Sequence, residues 1–165
     1  MNKKINRITD NHIWSYLFSR NLDFNRKKMI KSKKILPLEH AIWWLSNKRE
    51  IFYYNIGKKN IIYFWQEIKK FNNKKYFIGG WHSNVKKVNL LYILFILKWQ
   101  FSYNLKKKYK YPWIAVVKKN NKKILSLCKY LGYIEIKNKR ERYYKLIKER
   151  FNVNFNNYFY LILLP

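Results

Sequence analysis

The spacing of apolar positions along this chain switches repeatedly between a period of two and a helical period, which lays out an alternating series of strands and helices. Ile5 to Thr9 reads as a short first strand. Asp10 or Asn11 then offers an oxygen to cap a helix carrying Trp14, Leu17 and Phe18. Arg20 to Lys34 is polar and basic, with Asn21, Asp23 and Asn25 as breakers, and reads as a loop or broken helix. Pro37 opens a second helix, Leu38 to Ser46, expected to turn Ile42 and Leu45 toward the core. Three strands follow, Glu50 to Ile56, Asn60 to Ile68 and Lys75 to His82, joined by turns at Gly57-Lys58-Lys59 and at Phe71-Asn72-Asn73-Lys74.

After His82 the pattern becomes helical from Val85 to Phe101, apolar around most of the circumference, so the helix should be covered on more than one side. A basic loop, Lys106 to Lys110, leads to a strand at Trp113-Ile114-Ala115-Val116-Val117. Asn120-Asn121 supplies a cap for the next helix, on which Ile124, Leu125, Leu127, Cys128 and Leu131 recur. Gly132 stands where a left-handed C-cap would end that helix, before a strand from Tyr133 to Ile136 and a last β-like run from Tyr158 to Leu164. The three prolines, at 37, 112 and 165, fall at element boundaries, and no linker or repeat divides the chain. The expectation is one α/β domain over residues 1–165.

Composition narrows the class less than its extremes suggest. The net charge of +29 would ordinarily point to nucleic acid or an anionic surface. However, Lys, Asn, Ile, Tyr and Phe make up more than half of the residues, all encoded by codons rich in A and T, and the lysines are scattered along every segment. A solvated basic surface explains the charge as well as a partner does, and no specific nucleic acid is expected. The single cysteine, Cys128, excludes an internal disulfide framework and fits a reducing, cytoplasmic compartment. The basic amino terminus is not followed by an apolar signal core, and the run Leu90 to Leu97 is too short to cross a bilayer. Three histidines and one cysteine offer no metal cluster, and neither a P-loop nor a Gly-x-Ser-x-Gly elbow is present.

In order, Asn121, Leu127, Leu131, Gly132 and Tyr133 resemble the closing segment of the GNAT acetyltransferase superfamily, and the element order resembles that fold across the whole chain. The resemblance implies a mixed, mostly antiparallel sheet, splayed between its fourth and fifth strands and flanked by helices. It also implies an N-acetyltransferase that moves an acetyl group from acetyl-CoA to a primary amine. A narrower likeness lies in Ser19-Arg20-Asn21, Asn25-Arg26 and Pro37-Leu38-Glu39-His40 before Trp44, which is similar to GNAT enzymes acting on nucleotide-linked amino sugars. It implies Arg20, Asn21, Arg26 and His40 as substrate-binding residues, the arginines as guanidinium forks for phosphate. The candidate partners are a small amine acceptor and a second copy of the chain.

Acetyl transfer needs a base for the amine, a holder for the thioester and a proton for the leaving thiolate. The resemblance places the pantetheine arm against the fourth strand, here Ile78-Gly79-Gly80-Trp81-His82, whose paired glycines permit a bulge or a close ligand approach. His82, at the strand's end, is a candidate general base, with Glu67 as its competitor. A structural histidine and a carboxylate paired with a nearby lysine are the alternatives. Seven residues after Asn121, where the family carries a tyrosine acid, this chain has Cys128, which is either a proton donor or a core cysteine. The family's pyrophosphate loop has two spaced glycines. Here His82 to Asn89 has none, leaving Lys86 and Lys87 at the expected helix start as phosphate partners. A basic nucleic-acid-binding protein, with lysines between aromatics as in Tyr103 to Tyr111, and a GNAT fold without catalysis are the alternative readings.

Overall fold

The computed structural model describes residues 5–57, 59–138, 142–153 and 155–165. They group into two units: residues up to Glu67 together with Gly79–Asn89, and Ile68–Ile78 together with Leu90–Pro165. A seven-stranded sheet runs in the order β1-β2-β3-β4-β5-β7-β6.

In the first unit β1 (Ile5–Arg7) pairs antiparallel with β2 (Glu50–Asn55), and β2 pairs antiparallel with β3 (Ile61–Phe71) in the register Phe52 to Phe64. A 3-10 turn at Asp10–His12 leads into α1 (Ile13–Asn21), and Thr9 and the His12 ring cap it reciprocally. α2 (Asp23–Arg26) is one turn long, and α3 (Pro37–Ser46) starts with proline where no N–H is needed. Tyr16, Ile51 and Tyr63 form the core here, with Trp43, Trp44 and Trp65 packed on them. Ile42 and Leu45 do not face the core: they are 61% and 85% exposed. The inward face of α3 is His40, Trp43 and Trp44, three and four residues apart, because the indoles bury more apolar surface than the aliphatic side would.

The β3–β4 connection is tighter than the pattern predicts. Asn72 and Asn73 adopt φ of 44° and 61°, a two-residue turn of the primed kind, so β3 extends to Phe71 and β4 (Lys74–Ser83) begins at Lys74. Asparagine tolerates this left-handed geometry better than most side chains.

In the second unit β4 and β5 (Trp113–Lys118) pair in parallel through Phe77 with Trp113 and Ile78 with Ile114. β5 then pairs antiparallel with β7 (Tyr158–Leu163), which also holds β6 (Ile134–Glu135). α4 (Leu90–Lys106) begins five residues later than predicted. Ser83 donates to the Val85 carbonyl, and Asn84 bonds the Ile61 N–H and the Lys59 carbonyl, which holds the chain in a turn before the helix. Its inward stripe is Ile93, Ile96, Gln100 and Asn104, while Leu91 and Phe95 stay exposed, so the helix is covered less fully than its apolarity suggests. α5 (Lys122–Tyr130) ends as predicted at Gly132, whose φ of 88° lets Tyr133 N–H return to the Cys128 carbonyl. α6 (Arg142–Phe151) was not anticipated; it buries Leu146 and Ile147.

Candidate functional site

The polar chemistry of the first unit gathers where α1 and α2 meet the end of β4. Ser19 follows Tyr16 by three residues on α1, so both face inward, and Ser19 is fully buried. Its hydroxyl lies 2.9 Å from His82 Nδ1. Asn25 Nδ2 donates to the carbonyls of Ser19 and Ser83, 2.7 Å each, tying α2 to both elements. The Tyr16 and His82 rings meet edge to face with centroids 4.5 Å apart, and the Tyr63 ring on β3 lies 5.4 Å from that of His82.

His82 is therefore 2% exposed, and burial, followed by the charges of Arg20 and His40, pushes its pKa down to about 3. The ring is neutral. Its Nε2 has no partner although it is buried, an expensive state unless a ligand completes it. When the Ser19 hydroxyl accepts from Nδ1–H, Nε2 presents a lone pair; when Ser19 donates, Nε2 carries the hydrogen.

Two further buried donors are orphaned beside this cluster, Arg20 Nη1 and Arg26 Nε. The other ends of both guanidinium groups are anchored. Arg20 Nη2 donates to the Lys31 carbonyl at 2.7 Å, and Arg26 pairs with Asp23. The site thus holds two oriented cations with donors to spare, which suits an anion. Asn21 is otherwise engaged: its amide and its carbonyl clamp the backbone of Ile35. His40 is also occupied, with Nε2 3.0 Å from the Ile13 carbonyl and burial lowering its pKa.

Glu67 pairs with Arg49 at 3.6 Å, and Arg49 also lies 3.7 Å over the Trp65 ring. The indole of Trp65 fills the space beside Gly80, where a Cβ would come within 3.1 to 3.2 Å of it. Close approach at that glycine is thus made by the protein itself. Gly79 is exposed and Trp81 half-buried on the same strand. Lys86 and Lys87 are exposed in the loop ahead of α4 rather than at its first turn.

The arrangement can be placed among known folds. No family model matches the chain, and no curated protein matches it by sequence. Solved structures do. A Salmonella typhimurium protein solved with its cofactor acetyl-CoA superposes with a TM-score of 0.71 at 9% identity, over 99% of this chain and 94% of that one. The ribosomal-protein-alanine N-acetyltransferase of Brucella melitensis gives 0.70 at 11%, over 98% and 99%. An acetyltransferase of the GNAT family from Streptococcus pneumoniae gives 0.64 at 12%, over the same shares. The chain has the GNAT fold.

Within the GNAT fold the second unit carries the remaining candidates. Asn121 stands at the N-cap of α5, but its side chain makes no capping hydrogen bond. Cys128 is packed among Phe77, Trp113, Val117, Tyr133 and Leu161, and burial pushes its thiol up to about 12. Such a thiol holds its proton more tightly than an ordinary thiol does. The aromatics of the basic stretch are taken: Trp99 stacks on Tyr103, and Tyr109 on Tyr111 against Phe77. A groove of about 230 Å³ beside them is lined by Lys74, Lys75, Lys110, Tyr111 and Tyr143. Among the described residues no three His, Cys, Asp or Glu stand together as a metal site.

Of the residues singled out from the sequence, His82, Arg20 and Arg26 come together with unsatisfied groups. Asn21 and His40 sit beside them in supporting roles. Ser19, Asn25 and Ser83 were missed as site residues, although a polar residue in register with Tyr16 on the inward face of a helix is a readable signal.

Proposed function

We propose that the chain is an acetyl-CoA-dependent N-acetyltransferase acting on a primary amine, with a nucleotide-linked amino sugar as the acceptor. The observation that carries the proposal is the buried, unpartnered Nε2 of His82, within reach of the Arg20 charge and set at the end of β4 in a GNAT fold, together with the orphaned donors of Arg20 and Arg26. The exposed Lys86 and Lys87 would hold the cofactor's phosphates. Acetyl-CoA supplies the acetyl thioester.

His82 accepts a hydrogen bond from the acceptor amine and takes the proton shed as the C–N bond forms and the C–S bond breaks, while water protonates the thiolate. At a pKa of about 3 the imidazole is a weak base, and the charge of Arg20 contributes to that. A phosphate seated on Arg20 satisfies Nη1 and cancels this charge, so an anionic acceptor raises the basicity of His82 as it binds. Burial remains the larger cause of the low pKa, so this raises the basicity only in part. A GNAT fold without catalysis is the second reading, favoured by the lack of glycine between His82 and Asn89.

The test is thiol release from acetyl-CoA with a nucleoside-diphosphate amino sugar and with the same sugar unphosphorylated. Turnover should require the phosphorylated acceptor, and Arg20→Ala should raise KM for it about tenfold or more, from losing a charge-assisted contact. Equal rates on both acceptors would remove the phosphate from the proposal. An absence of turnover with acetyl-CoA bound would favour the non-catalytic reading.

A further inference from the structure

The first unit leaves an unusual amount of apolar surface uncovered on two helices that are tied together. Trp14 and Phe18 on α1 are 56% and 66% exposed, and Leu36, at the N-cap of α3, and Leu38, Ile42 and Leu45 on that helix all exceed half exposure. Trp14 and Phe18 lie one turn apart, and Leu38, Ile42 and Leu45 recur at four and three residues, so each set forms a stripe along its helix. The helices are joined through His40 to the Ile13 carbonyl and through Trp44 to Asp10.

Charge says what would cover the stripes. Residues 10–49 hold nine lysines and arginines against three carboxylates. The carboxylates are already used: Asp10 by Trp44, Asp23 by Arg26, and Glu39 by the backbone N–H of Leu36. Lys27, Lys28, Lys31, Lys33 and Lys34, in the segment leading to α3, and Lys48 just after it are exposed. An apolar stripe bordered by exposed lysines matches the boundary of an anionic bilayer, where acyl chains take the apolar groups and headgroup phosphates the ammonium groups. A second copy would instead bring two chains of +29 together, and a nucleic acid would leave the leucines in water. Among the described residues no helix is long and apolar enough to cross a membrane, so the contact is with the surface.

We propose that α1 and α3 form a docking face for anionic lipid bilayers, with Trp14, Phe18, Leu38, Ile42 and Leu45 entering the interface. Co-sedimentation of the full chain with vesicles at physiological salt tests this. Binding is expected to phosphatidylcholine vesicles containing phosphatidylglycerol and not to phosphatidylcholine alone. Replacing Leu38, Ile42 and Leu45 together by serine should lower the partition at least tenfold, a loss of about 1.4 kcal/mol that burial of three such side chains readily exceeds. The thermal midpoint should not fall, since these side chains are exposed. Independently of that variant, the emission difference between wild type and Trp14→Phe should shift to the blue on anionic vesicles. No binding by the wild type, undiminished binding by the serine variant, or an unshifted Trp14 would overturn the proposal. So would a wild-type dimer that the serine variant converts to a monomer.

Discussion

His82 is held in place by Ser19 and Tyr16 while its buried Nε2 is left without a partner. Its folded pKa lies well below the free value of about 6.5, so the native state binds fewer protons than the unfolded chain between those limits. Stability is then lost as pH falls below about 6.5, and the lowered pKa of His40 acts in the same direction. His82→Gln should therefore unfold less readily with acid than the wild type. The difference in slope should approach one proton, about 1.4 kcal/mol per pH unit, in urea titrations at pH 6 and 4.5. Identical slopes would mean that the ring is not buried neutral. The same change should lower maximal turnover by about 10² with acetyl-CoA affinity near normal, because proton transfer contributes that much. Cys128 sits in an apolar cluster that holds its thiol protonated. Cys128→Ser places a hydroxyl among Phe77, Trp113 and Leu161 and should cost about 1–3 kcal/mol in denaturant melts while leaving turnover per folded molecule unchanged. A large loss of turnover without a loss of stability would return the thiol to the chemistry. At this scale the sequence pointed to His82, Arg20 and Arg26 as chemical types. It could not show that Asn21 spends its amide on Ile35, because that contact spans fourteen residues.

Elements were legible wherever local chemistry decides them. Pro37 at a first helical turn, Gly132 at a left-handed cap and the strand at Trp113 all depend on neighbours in the chain, and they stand where the pattern put them. The start of α4 moved because Ser83 and Asn84 bind backbone groups, some of them on a distant strand, which periodicity does not record. The inward face of α3 was misread because leucines and tryptophans compete for the same core, and the indoles won by packing on Tyr16, Trp43 stacked and Trp44 edge-on. α6 escaped notice although its helical period is clear, because its buried pair, Leu146 and Ile147, is a narrow apolar stripe in a segment that is polar on average. The glycine pair on β4 shows the same limit, since Gly80 is small for Trp65. Gly80→Ala must push the indole by a few tenths of an ångström and should cost about 1–3 kcal/mol by chemical denaturation. A neutral effect would show that Trp65 yields freely.

For the molecule as a whole, the GNAT fold was readable from element order although identity to its structural neighbours is only 9–12% in the comparisons above. Binary patterning and turn chemistry survive at levels where residue identity does not. The charge is a different matter, because a value of +29 is compatible with a solvated surface, a membrane or a polyanion. With the aromatics of the basic stretch stacked on one another, binding to DNA at physiological salt should stay at the micromolar, non-specific level. Sequence-selective nanomolar binding in a filter assay would instead make nucleic acid the partner of the basic surface.

Calorimetric titration of acetyl-CoA into the full chain reaches the central claim most directly. The wild type should bind one equivalent, and the double change Lys86→Glu with Lys87→Glu should weaken binding at least several-fold, from the loss of one to three charge-assisted contacts to phosphate. No heat from the wild type, with the chain shown to be folded, would contradict the assignment of an acetyl-CoA site to this fold.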